Sequence, residues 1–88
     1  ILKEEIEYRG ISQRRFAAQI GMSYSVLNEV LNAKRAITTE YALLFEAALG
    51  INAKLLVNMQ TDYNMQIAKQ NASFMDKLNN IRKIAALL

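Results

Sequence analysis

Ser23, Tyr24, Ser25, Asn28 and Glu29 fall within about two helical turns of one another. At 100° per residue, Ser25, Asn28, Glu29 and Asn32 share the side opposite Leu27, Val30 and Leu31, with Ser23 and Tyr24 at the N-terminal tip. The chemistry open to such a face is hydrogen bonding without bond making. Ser and Asn both give and take hydrogen bonds on nucleobase edges, where a good bidentate pair discriminates by about 1–3 kcal/mol. Glu29 has two uses open to it: accepting from a cytosine amino group, or holding a neighbouring arginine. The chain has no cysteine, histidine, proline or tryptophan, so thiol nucleophiles, Cys/His zinc sites and histidine acid/base schemes are excluded within it. Asp62 and Glu46 lack a second carboxylate at catalytic spacing, and no Gly-rich loop could cradle a phosphate. Neither an enzyme nor a cofactor is expected.

The elements that must position these residues are marked by three tripeptides, Gly10-Ile11-Ser12, Gly21-Met22-Ser23 and Gly50-Ile51-Asn52. Each stops one helix and starts the next. The glycine suits the left-handed position after a helix end, and the Ser or Asn suits the next N-cap. Phe16, Leu27 and Leu56 then stand where a hydrophobic staple needs an apolar residue. Thr38 is the expected cap of a fourth helix. Helical apolar spacing runs through Leu2, Ile6; Phe16, Ala17, Ile20; Leu27, Val30, Leu31; Leu43, Leu44, Ala47, Ala48; and Leu55, Leu56, Met59. The expectation is five helices near 1–9, 13–20, 24–32, 39–49 and 53–66, then a tail over 67–88.

In the tail, Phe74, Leu78, Ile81, Ala85 and Leu88 draw one narrow stripe at 4-3-4-3 spacing. Ser73 and Asp76 could open this helix as a capping box, or the fifth helix could run straight through 66–72. The stripe either packs on its own domain or serves dimerisation or partner binding. The proposed dimer interface comprises Leu56, Met59, Tyr63, Ile67, Phe74 and Leu78.

Residues 13–32 fit the helix-turn-helix pattern. Its apolar slots hold Phe16, Ile20, Met22, Leu27 and Val30, its small slot holds Ala17, and its turn slot holds Gly21. Ala17 lets the two helices cross closely, and Gly21 makes the sharp turn. The outer face of the second helix is thereby left for the major groove. Gln13 and Arg14 at the start of the first motif helix, and Lys34 and Arg35 just beyond the second, are placed for DNA phosphates. Such contacts fix register without reading sequence.

Gly10-Ile-Ser-Gln-Arg-Arg-Phe-Ala-Ala-Gln-Ile-Gly-Met-Ser, then Leu27-Asn-Glu-Val-Leu-Asn with Lys34-Arg35 and Ile37-Thr38, resemble the phage-repressor (XRE/Cro) helix-turn-helix family. Ile1-Leu-Lys-Glu-Glu, Glu46-Ala-Ala-Leu-Gly-Ile and Leu56-Val-Asn-Met-Gln-Thr-Asp-Tyr resemble HigA-type antitoxins within it. The resemblance covers about residues 1–65. It implies an all-α, five-helix lambda-repressor-like DNA-binding domain over 1–66; the tail has no counterpart in it, and the additional helix over 67–88 is expected from the stripe alone. It also implies a homodimer that binds a double-stranded operator in its own promoter and neutralises a HigB-type mRNA endonuclease toxin. The family's base-reading slots correspond to Tyr24, Ser25 and Glu29, and its phosphate slots to Gln13 and Asn32. The family usually has Gly at the slot of Ala33 and often Pro at that of Ala36, so a differently shaped loop is expected after the recognition helix. The alternatives are a stand-alone repressor, which shares the same DNA chemistry, and a helix-turn-helix fold used as a protein-interaction module.

The chain's 88 residues are 52% hydrophobic and 22% charged, with a net charge of +3, as for a small globular domain. No apolar run approaches the ~20 residues of a membrane span, so no membrane partner is expected and the cytoplasm is the expected compartment. Further residues are expected before Ile1, which is not a methionine. Residues 1–35 hold six basic and four acidic groups, 36–68 one and three, and 69–88 four and one. The surplus therefore sits on the motif and the tail.

Overall fold

The computed structural model describes residues 2–87; the expected first-helix start at Ile1 and the last stripe position, Leu88, lie outside them. The described residues form six helices and no strand: α1 (Leu2–Tyr8), α2 (Gln13–Ile20), α3 (Tyr24–Leu31), α4 (Thr39–Leu49), α5 (Ala53–Lys69) and α6 (Ala72–Ala86). None is long and apolar enough to cross a membrane.

The helix boundaries follow from local chemistry. Gly10, Gly21 and Gly50 all take left-handed conformations, with φ of 68°, 75° and 72°. Ser12, Ser23 and Thr38 accept at their hydroxyl oxygens from the backbone N–H of Arg15, Val26 and Tyr41, at 3.2, 3.2 and 3.1 Å. Asn52 does the same for Leu55 through Oδ1 at 3.1 Å. Each side chain satisfies a donor that the first helical turn leaves without a partner.

The end of the fifth helix departs from expectation. It runs on to Lys69 and stops there, and α6 is capped by Asn71, whose Oδ1 accepts from the Phe74 N–H at 3.0 Å. Ser73 lies inside α6 and caps nothing. Asn is as good an N-cap as Ser, and it stands at the position where the backbone turns, so the amide takes the role expected of the hydroxyl.

The chain divides into two compact units, residues 1–57 and 58–88. In the first, Leu2, Ile6, Phe16, Ala17, Met22, Leu27, Val30, Ala42, Phe45, Leu49, Ala53 and Leu56 form one core. The Phe16 and Phe45 rings lie 6.4 Å apart with their planes 7° from parallel, tying α2 to α4. The expected face of the fourth helix needs correction. Ala42, Phe45 and Leu49 turn inward, whereas Leu43 is 52% exposed and Ala47 is exposed too. This helix is apolar on most sides, so its own periodicity does not choose the buried face; the Phe16 ring does.

Two polar contacts between helices lock helix ends in this unit. Arg9 pairs with Glu5 at 3.0 Å and also donates to the Leu49 carbonyl at the end of α4, at 3.0 Å. Glu46 Oε2 accepts from the Ala53 N–H at the start of α5, at 2.7 Å. In the second unit no described residue is buried.

Candidate nucleic-acid interface

The turn between α2 and α3 sets the geometry of the site. Gly21, left-handed, donates to the Ala18 carbonyl at 3.4 Å and Met22 to the Ala17 carbonyl at 2.9 Å, the pairing of a Schellman end. Met22 tucks into the core, and Ala17, 1% exposed, stands where the helices meet. With Leu27 and Val30 buried beneath it, α3 presents its polar side outward.

The individual side chains are differently engaged. Ser25 is exposed and has no side-chain partner among the described residues, which leaves its hydroxyl open as both donor and acceptor. Ser23 caps α3, which commits its oxygen as an acceptor while leaving its O–H as a donor. Asn28, half-buried, donates from Nδ2 to Gln13 Oε1 at 3.3 Å, bridging the two motif helices. Tyr24 is half-buried against the core, and the Arg14 guanidinium lies over its ring, 4.1 Å from the centroid.

Glu29 accepts from Arg35 at 3.3 Å, both side chains being nearly half exposed. Of the two uses open to it, this is the pairing with a neighbouring arginine. An ion pair this exposed contributes about 0–1 kcal/mol, so Arg35 can exchange Glu29 for a phosphate at little cost. Asn32 donates from Nδ2 to the Asn28 carbonyl at 2.8 Å; a phosphate contact from that amide must displace this bond. Lys34 is exposed with no carboxylate partner among the described residues.

The loop after α3 is not shaped as expected. Ala33 has φ of 57°, so it occupies the left-handed conformation that glycine would take, the one non-glycine described residue to do so. Its N–H bonds the Val30 carbonyl at 3.2 Å and that of Lys34 bonds the Glu29 carbonyl at 2.8 Å, again a Schellman end. The backbone adopts the turn despite the methyl group and carries Lys34 and Arg35 past the end of α3.

The proposed dimer residues are dispersed by burial. Leu56 is 1% exposed in the core of the first unit, a correction to its placement on an interface. The fourth residue after an N-cap points into the staple that closes its own helix. Met59, Tyr63 and Ile67 form an exposed row at i, i+4 spacing along α5. On α6, Phe74 is 42% exposed and Leu78 half-buried. The contacts that sequence patterns missed, Arg9 with Leu49 and Glu46 with Ala53, join residues 40 and 7 apart; the first is beyond any helical repeat, and the second crosses the break between α4 and α5.

A family model described as helix-turn-helix matches residues 2–56. The virulence-associated protein I of Dichelobacter nodosus is 35% identical over 72 residues, which span 81% of this chain and 67% of that protein. Among solved structures, a candidate antidote protein of a plasmid maintenance system from Nostoc punctiforme superposes with a TM-score of 0.73 at 26% identity, over 91% of this chain and 86% of that one. A Pseudomonas aeruginosa protein crystallised with its operator DNA superposes with a TM-score of 0.70 over 84% of this chain and 81% of that one. Its 19% identity makes that likeness one of fold alone.

Proposed function

Because this chain belongs to the helix-turn-helix family, we propose that it is a sequence-specific DNA-binding antitoxin that represses its own operon as a dimer and neutralises a HigB-type mRNA endonuclease. The observation that carries the DNA part is the outer face of α3. It is polar from Ser23 to Asn32, seated on a closely crossed helix pair, and flanked at both ends by arginine or lysine. Ser23, Ser25 and Asn28 face the bases, Tyr24 stands at the tip of α3 beneath Arg14 and Glu29 holds Arg35; Gln13, Arg14, Asn32, Lys34 and Arg35 face the phosphates. The Pseudomonas aeruginosa protein, crystallised with its operator DNA, shares this fold, which supports DNA as the ligand. The Nostoc punctiforme antidote protein supports the antitoxin role. We assign DNA binding to residues 1–66 and partner binding to 67–88, with the second copy meeting the exposed Met59, Tyr63, Ile67 and Phe74 and the half-buried Leu78. Such a regulator works in the cytoplasm, where its operator is, and its role requires no catalytic group.

Footprinting on the region upstream of its own gene tests this. The expected result is a protected palindrome with half-sites about 34–36 Å apart, or a multiple of that; no protected palindrome removes the repressor role. A toxin-sized reading frame beside the gene, whose product co-purifies with this chain, is the expected companion. Its absence leaves a stand-alone repressor with the same DNA chemistry.

A further inference from the structure

Arg14 is the second residue of α2 and Tyr24 the first of α3. The guanidinium carbon stands 4.1 Å from the Tyr24 ring centroid, well within the ~6 Å over which a ring face attracts a guanidinium. Tyr24 is half-buried and packed against the core, so the ring is held in place from beneath. Arg14 is exposed and has no carboxylate partner among the described residues. Its charge is therefore steered without being neutralised. Arg35, the other arginine flanking α3, is held by Glu29 instead. A free arginine spreads over many rotamers and loses that freedom on binding; a planar group already stacked has less to lose.

We propose that Tyr24 serves DNA binding through Arg14. Its ring is a platform that holds the guanidinium beside the tip of α3, where Arg14 takes a DNA phosphate. Tyr24 is then a positioning residue whose ring face matters and whose hydroxyl does not, unlike the base-reading slot that the family resemblance assigns it. The inference rests on the DNA-binding function proposed above.

The test uses the full chain and its variants Tyr24→Phe, Tyr24→Leu, Arg14→Gln and Arg14→Gln/Tyr24→Leu. Each is titrated over a salt series against a labelled duplex from directly upstream of the gene and against a random-sequence duplex of equal length. Tyr24→Phe is expected to match the wild type on both. Tyr24→Leu should weaken both duplexes about two- to fivefold. Arg14→Gln should lower the salt slope by about one, and the double variant should bind no worse than Arg14→Gln alone. Equal losses on the two duplexes mark a phosphate contact, since base contacts discriminate. Loss on Tyr24→Phe, confined to the upstream duplex, would show a base-reading hydroxyl and overturn the proposal, even if Tyr24→Leu folds poorly. Additive losses from Arg14→Gln and Tyr24→Leu overturn it as well. In both of those outcomes the wild type still binds DNA, so the function stands; a wild type with no salt-dependent affinity for either duplex removes the function and this inference together.

Discussion

Ala33 carries a strain that the residue usual at this slot would not. A Cβ in the left-handed region costs about 1–2 kcal/mol, and Ala33 sits there at φ 57°. Replacing it with glycine relieves this but frees the unfolded chain by about 0.4–1 kcal/mol. Ala33→Gly is therefore expected to stabilise the protein by about 0.5–1 kcal/mol, a rise of a few degrees in Tm for a chain of this size. Thermal or urea unfolding measures it; a variant no more stable than the wild type would show that the alanine is unstrained. The residue type at 33 pointed toward a different loop, yet the backbone makes the same stop. The carbonyls of Glu29 and Val30 need partners at the end of α3, and Lys34 and Ala33 supply them only in this conformation.

At the scale of the helices, the two kinds of signal differ in reach. Caps lie three residues from the donor they satisfy, so Ser12, Ser23, Thr38 and Asn52 were all legible from the chain. Asn71 is of the same kind, and only the competing Ser73 hid it. Glu46 is different: it sits in the last turn of one helix and caps the next by reaching over Gly50. A carboxylate there meets the positive end of α5. Glu46→Ala should destabilise the protein by about 1 kcal/mol, with Glu46→Gln, which keeps an acceptor, losing less. An unchanged denaturation midpoint in Glu46→Ala would leave Asn52 as the sole effective cap.

For the whole molecule, Leu56 and Phe74 are expected to behave oppositely. Leu56→Ala opens a cavity in the core of the first unit and should cost about 2–5 kcal/mol, a large part of the roughly 5–15 kcal/mol that holds a small domain together. Phe74→Ser with Leu78→Ser removes apolar surface that no described residue of its own chain fully covers. That pair should leave the unfolding of residues 1–57 unchanged and shift the mass in sedimentation equilibrium toward monomer; an unchanged dimer would move the interface away from α6. α6 has no fully buried residue, and the proposed second copy would cover the apolar side that its own chain leaves in part exposed.

Local chemistry in the chain was enough to determine the helix-turn-helix segment. Gly21 had to turn left-handed, Ala17 had to be small, Ser23 had to cap, and the polar side of α3 followed by rotation. What a single helix cannot express was decided by the tertiary structure. The inward face of α4 depends on where the Phe16 ring lies, and the use of Glu29 depends on where the loop brings Arg35. Arg14 meets Tyr24 only because α2 and α3 cross at close range. The periodicity of a helix specifies its sides, but which side is buried, and which charge meets which partner, is a property of two elements packed together.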